Sequence, residues 1–356
     1  MSKLSSMHTI LCKMHIDDNC LIDRYQNLSK SELYTNSEIK DIIRINVGIC
    51  RIMRFYKMIT RRQFLKAFIG AAAGFYSVKF NFAAPITSAG MNSSIFRFAV
   101  ISDIHVRNND RRAQVINGDL GNGIPADYVT LRKILQSELS GSGTTIPLYF
   151  TIGNHEFYKA YHNPNTNSWS PETFPNGETD MMAIERFLQF TQRDKVYTDT
   201  YIKGYHLIFL GSEKSAMSNK SIGDTAYLSS EQLNWLQEKL RENYVPGKPI
   251  FIFLHQPALG TSNNKNHFVI QHEELNDILK QYPEVIKFSG HLHLELGSEA
   301  SVIQDVFTQY NDSSTCRTLD MKYTLVPNKS EGLYVEVFAD KVNVKGRDFL
   351  KNEWVM

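Results

Sequence analysis

The chain of 356 residues carries 39 Lys+Arg against 37 Asp+Glu, is 42% hydrophobic and 21% charged, and contains four cysteines. That composition excludes wholesale disorder and collagen-like sequence, and the length is ample for a sizeable core. The formal charge of +2 averages two unlike parts: residues 1–89 hold 13 basic and 6 acidic residues, +7, which leaves 26 and 31, −5, for residues 90–356. Cys316 is the one cysteine of the second part, so that part cannot be a disulfide-stapled scaffold.

Residues 1–57 begin polar and continue into an Ile-rich stretch (Ile39, Ile42, Ile43, Ile45, Ile49, Ile52) with no recognisable motif. We expect this to be an extension upstream of the true start, because Met58 stands where a leader would begin. Residues 58–89 have signal architecture: Thr60-Arg61-Arg62-Gln63-Phe64-Leu65-Lys66, then an apolar run over 67–76, too short to span a bilayer. The heptapeptide resembles the twin-arginine export signal. The resemblance implies the twin-arginine export machinery as a partner and an extracytoplasmic or secreted location. Thr87-Ser88-Ala89 offers a small-residue cleavage site, and a signal left uncleaved would remain as a membrane tether.

From residue 94 apolar runs alternate with helical stretches. Strands are expected at 95–101, 146–152, 205–210, 249–254 and 285–289, and helices at 126–139, 181–192, 230–243 and 272–281. Ser229 is placed to cap the third helix. The Asn/Pro/Thr/Ser-rich stretch 157–179 reads as a long loop, and 333–338 with 341–344 flank Ala339-Asp340 as a terminal hairpin. The alternation indicates an α/β (α+β) domain over 90–356 with mixed sheets.

Nine of the eleven histidines follow residue 90, and five fall in blocks at strand ends. The blocks are Asp103-Ile104-His105, Gly118-Asp119, Gly153-Asn154-His155-Glu156, His255, and Gly290-His291-Leu292-His293. In α/β sheets ligands gather at the carboxyl ends of strands. Carboxylate with imidazole suits Mn, Fe or Zn, and not a thiophilic metal or an all-oxygen calcium site. His162, His206, His267 and His272 lie outside the blocks; Tyr158, Tyr161, His162 and Trp169 are candidates to border the pocket. The acidic body shows no basic stripe and gives no support for nucleic acid as a partner.

The ordered blocks, spanning 95–293, resemble the calcineurin-like metallophosphoesterase superfamily. The resemblance implies a four-layer α/β/β/α sandwich and two divalent or trivalent ions. Asp103, His105 and His293 would hold one ion, Asn154, His255 and His291 the second, and Asp119 would bridge them. A hydroxide between the ions would attack a small phosphate mono- or diester, His155 would protonate the leaving alkoxide, and Glu156 would orient His155. One departure stands out: Asp103 and Asp119 are 16 positions apart, too close for the family's usual strand–helix–strand link. We therefore expect the first crossover helix to be missing and the second strand trimmed. The alternative to a competent enzyme is an impaired relic, or a metal- or phosphate-binding protein, with an uncovered sheet face.

Overall fold

Alternation along single strands sets the layers of the computed structural model, which describes residues 76–79, 93–105, 115–139, 147–258 and 268–356. The twin-arginine motif, residues 1–57 and the link 106–114 lie outside the described residues. In chain order the strands are β1 (Tyr76–Lys79), β2 (Phe96–Ile101), β3 (Val115–Asn117), β4 (Tyr149–Thr151), β5 (His162–Asn163), β6 (Ser168–Trp169), β7 (Thr198–Ile202) and β8 (Tyr205–Phe209). They continue as β9 (Ile250–Phe253), β10 (Val285–Ser289), β11 (Val302–Gln304), β12 (Thr308–Asn311), β13 (Glu331–Val337), β14 (Lys341–Asp348) and β15 (Glu353–Trp354). Among the described residues four α-helices accompany them: α1 (Pro125–Leu139), α2 (Asp180–Thr191), α3 (Ser230–Arg241) and α4 (His272–Leu279).

One sheet runs β1-β14-β13-β2-β3-β4 with β15 on β14, the other β11-β12-β10-β9-β8-β7. Phe98 and Val100 of β2 meet Phe251, Phe253 and Phe288 of the facing sheet, while Ile101 turns to the opposite face. The same alternation sends Leu207 and Phe209 inward and Ile208 outward. The outer face of the first sheet is covered by α1 and α2 through Leu131, Phe187 and Phe190. The outer face of the second is covered by α3 and α4 through Leu233, Leu236, Leu275 and Ile278. This is the expected α/β/β/α sandwich. Each fully buried Phe, Leu or Ile in these layers contributes about 1.5–3 kcal/mol.

Helix limits follow local chemistry. Ser229 caps α3, its Oγ accepting from Gln232 N, and Thr179 does the same for α2. The terminal hairpin is longer than expected, pairing Glu331 with Asp348 at its far end.

Thirteen residues, 102–114, separate β2 from β3, yet the two pair in parallel, Val100 with Val115 and Ile101 with Ile116. Strand β3 is trimmed to three residues, but it sits between β2 and β4 as a full strand would. The feared uncovered face is absent there: Ile101 and Ile116 are buried beneath the first helical layer. Strand β1 lies inside the segment read as the export signal and pairs antiparallel with Lys341–Val344. The stretch 157–179 is not a plain loop. A 3-10 helix, His155–Tyr161, leads into the β5–β6 ribbon, in which His162 pairs with Trp169.

Candidate metal centre

The loops leaving β2, β3, β4, β9 and β10 converge, and one ligand atom from each of Asp103, His105, Asp119 and His293 lies within 4.8 Å of the others. The backbone is bent hard to achieve this. Asp103, His105, Asp119, His291 and His293 all adopt left-handed φ, between 38° and 70°. Such a conformation costs a non-glycine residue about 1–3 kcal/mol and persists only where surrounding structure enforces it. Here the enforcement is visible: Asp103 N donates to Gly118 O, His105 N to Asp119 O, and His291 N to Asp103 Oδ2.

Two glycines make the approach possible. A Cβ on Gly118 (φ +85°) would sit 2.5 Å from the His255 ring, and one on Gly153 would collide with Asp119 Oδ1. Asp103, Asp119 and His255 are fully buried. His293 Nε2 is 2.8 Å and His255 Nε2 3.8 Å from Asp103 Oδ1. His255 Nε2 is 3.2 Å and His105 Nε2 3.8 Å from Asp119 Oδ2.

The far nitrogens settle which atoms face inward. His255 Nδ1 donates to Asn117 O at 2.7 Å and His293 Nδ1 to Arg317 O at 2.8 Å. A carbonyl only accepts, so both Nδ1 atoms carry hydrogen and both Nε2 atoms turn toward the carboxylates. The carboxylates favour a proton on His255; when that proton leaves, its Nε2 lone pair faces their lone pairs. His255 Nε2 and Asp103 Oδ1 are buried without a hydrogen-bond partner. Orphans of that kind are rare in native interiors, and a cation between them satisfies both. The residues present fit a metal of the Mn, Fe or Zn class.

The charges agree. Burial works to raise both carboxyls, but the imidazoles outweigh it: Asp103 sits down at about 2 beside His293 and His255, and Asp119 well below its usual range beside His255 and His155. Burial pushes His105 and His291 down to about 4, leaving neutral donors. Burial also opposes charge on His255 and His293, yet the carboxylates prevail, with Asp119 and Asp103 lifting His255 to about 10 and Asp103 raising His293.

Asn154 and His291 form the adjoining part of the site. Asn154 Oδ1 lies 2.9 Å from His291 Nδ1, and the His291 ring meets His255 edge-on at 5.4 Å. The Asn154 amide is aimed by a residue that no motif marks. Its Nδ2 donates to Tyr158 OH at 3.3 Å, which donates to Asp224 Oδ1 at 2.8 Å. Amide nitrogen toward Tyr158 leaves the amide oxygen for the site.

His155 lies with Nε2 3.9 Å from Asp119 Oδ2. Glu156 does not touch its ring, contrary to the role expected from the resemblance. Glu156 is fully buried, Oε2 accepting from Gly153 N at 2.7 Å and Asp119 N at 3.1 Å, and Oε1 from Leu120 N at 2.8 Å. It clamps two ligand-bearing loops together by their backbones. Burial and Asp119 push its carboxyl up to about 8 against those amides. The residue that holds the ring is Asn122, whose Oδ1 lies 2.9 Å from His155 Nδ1.

Beneath the centre a second buried layer supports Asn117. Thr151 Oγ1 donates to Asn117 Oδ1 and Asn117 Nδ2 donates to Asp312 Oδ2, while the fully buried Lys287 donates to Gln256 O, next to His255. Of the other histidines, His206 pairs with Asp199 in β7, His162 belongs to the ribbon, His272 opens α4, and His267 lies outside the described residues.

The calcineurin-like phosphoesterase family model matches residues 96–295. No curated protein matches the sequence significantly. Among solved structures, a dimetal phosphatase from Danio rerio aligns at 13% identity over 72% of this chain and 97% of its own, with a TM-score of 0.51. GAP50, the anchor in the inner membrane complex of Plasmodium, aligns at 14% identity over 73% and 86%, with a TM-score of 0.41. At such identities the likeness is one of fold.

Proposed function

We propose that this chain, which belongs to the calcineurin-like phosphoesterase family, is an exported dinuclear metal-dependent hydrolase of phosphate mono- or diesters. The observation that carries the reading is the set of buried carboxylate and imidazole atoms turned toward one another, with Asp103 Oδ1 and His255 Nε2 unsatisfied. Asp103, His105 and His293 would hold one ion, Asn154, His255 and His291 the other, and Asp119 both. Such ions, when bound, supply Lewis-acid charge and lower the pKa of water.

The remaining work falls to the chain. His155 presents Nε2 beside Asp119 while Asn122 holds Nδ1, so the ring takes up and returns a proton at Nε2. Burial pushes the free imidazole down to about 3. A phosphate dianion beside it raises its proton affinity, the direction that protonating a leaving alkoxide requires. Glu156 keeps the Asp119 and Asn154 loops in register.

Metal analysis with turnover of an aryl phosphate tests this. After loading with Mn, Fe or Zn, about two ions per chain are expected. Asp119→Asn loses metal and turnover together; His155→Ala keeps metal and loses about 10²-fold or more in kcat. Fewer than one ion per chain refutes the reading, and full loading without turnover identifies a binding protein or relic. Export has its own test. Replacing Arg61 and Arg62 by lysine should leave the precursor in the cytoplasm, and unchanged export would refute the twin-arginine route.

A further inference from the structure

Two charged side chains, neither a candidate ligand, lie fully buried beneath the metal centre: Asp312 and Lys287. Asp312 directly follows β12, and its backbone N donates to Ser289 O at the end of β10. Lys287 of β10 donates from Nζ to Gln256 O at 3.1 Å, and Asp312 supplies the opposite charge. Such a buried pair is a poor way to stabilise a fold, because apolar residues of similar volume are often neutral or stabilising replacements. What the pair grips is therefore informative.

Asp312 Oδ2 accepts from Asn117 Nδ2 at 2.5 Å, from the end of one sheet to the end of the other, and Thr151 Oγ1 donates to Asn117 Oδ1 at 2.8 Å. Asn117 is the last residue of β3, and the ladder between β3 and β2 has already stopped at Ile116. The side chain takes over where strand pairing ends. The backbone oxygen of the same residue accepts from His255 Nδ1 at 2.7 Å. Lys287 fixes the carbonyl of the next residue along from His255, so the ring and the chain that carries it are both held from below.

We propose that Asp312 and Thr151 are positioning residues: together they hold the Asn117 side chain, which sets the Asn117 carbonyl, and that carbonyl fixes the His255 ring with Nε2 toward Asp103 and Asp119. The trimmed strand gives the device its purpose. Three residues with two pairings to β2 anchor the ligand end of β3 weakly, and the side-chain bridge adds the missing hold. The proposal rests on the metal-hydrolase reading only for what His255 then binds. Loss of an outer partner of a metal-ligating histidine corresponds to about 10–100-fold in metal affinity.

The test uses the full chain and two measurements. In metal-free protein with isotope-labelled histidine, magnetic resonance should show the His255 Nδ1–H, assigned by its loss in His255→Gln, exchanging slowly with solvent. Asp312→Val and Thr151→Val should speed that exchange about tenfold, while Asp312→Asn, which keeps an acceptor for Asn117 Nδ2, stays near wild type. Titration with cobalt ions alone should show affinity about 10–100-fold weaker and a changed absorption spectrum in the valine variants, with both restored in Asp312→Asn. Thr151→Val conserves shape and volume, so it decides the matter where Asp312→Val does not fold. Exchange at the wild-type rate in either folded valine variant, or cobalt affinity and spectrum unchanged while only stability falls, overturns the proposal. Wild-type protein that takes up no cobalt overturns the hydrolase reading, and the exchange rates alone then decide whether the bridge positions His255.

Discussion

Glu156→Gln separates a clamp from a catalytic orienter. Two of the three backbone amides converge on Oε2 and the third on Oε1. A glutamine that places its carbonyl oxygen at the Oε2 position keeps Gly153 N and Asp119 N, and turns its NH2 against Leu120 N–H. Above pH 8, where Glu156 is ionised, one buried hydrogen bond to a carboxylate is lost and a buried donor is orphaned, together about 2–4 kcal/mol. Against a total stability of about 5–15 kcal/mol that is a large fraction. Urea unfolding of the full-length protein above pH 8, followed by tryptophan fluorescence, should show the unfolding free energy falling by this amount, seen as a lower midpoint at constant slope. Metal affinity should fall with it, because the Asp119 and Asn154 loops lose their common anchor. A variant within about 0.5 kcal/mol of wild type that loses only kcat would refute the clamp and restore the direct role on His155.

Three further outcomes follow from the same geometry. Asn122→Ala should leave metal content unchanged and lower kcat about tenfold, since the His155 ring loses the partner of Nδ1; unchanged kcat would show that another group orients the ring. The carboxylates lift His255 to about 10 and also raise His293, so metal uptake should release protons and weaken as pH falls. Calorimetry in buffers of differing ionisation enthalpy measures this, and uptake without proton release would contradict it. Burial pushes Lys287 down to about 7, whereas the unfolded lysine titrates near its ordinary 10.5. Between those values the unfolded chain binds more protons, so wild-type stability should gain on Lys287→Met as pH rises from 7 to 10.5; a pH-independent difference would refute the assignment.

The layers were legible because their signals are periodic and local. The apolar run at 95–101 reappears as Phe96–Ile101, and the helix expected at 181–192 as Asp180–Thr191. Strands Thr198–Ile202 and Thr308–Asn311 were not foreseen, because Thr-Asp-Thr and Thr-Gln-Tyr-Asn carry no apolar run and are strands only through their neighbours. The ligand blocks could be read because each is contiguous in sequence. Asn122 and Asp224 could not, since their roles depend on contacts across 33 and 66 positions that no spacing rule encodes, and Tyr158 was read only as a pocket border and not as the partner of Asn154. Glu156 was noticed for its position beside His155, yet its partners are backbone amides, which are invisible to any reading of residue types.

The left-handed turns at Asp103, His105, Asp119, His291 and His293 bear on the history of the chain. Glycine at any of them would relieve strain, so each position offers a substitution that stabilises the fold while deleting a candidate ligand. A site that had lost its use would drift toward such changes early, because mutations that remove functional strain are among the easiest stabilising ones to find. All five positions still carry aspartate or histidine, the residue types that metal chemistry asks for and the backbone resists. That pattern favours a working centre over an inherited remnant.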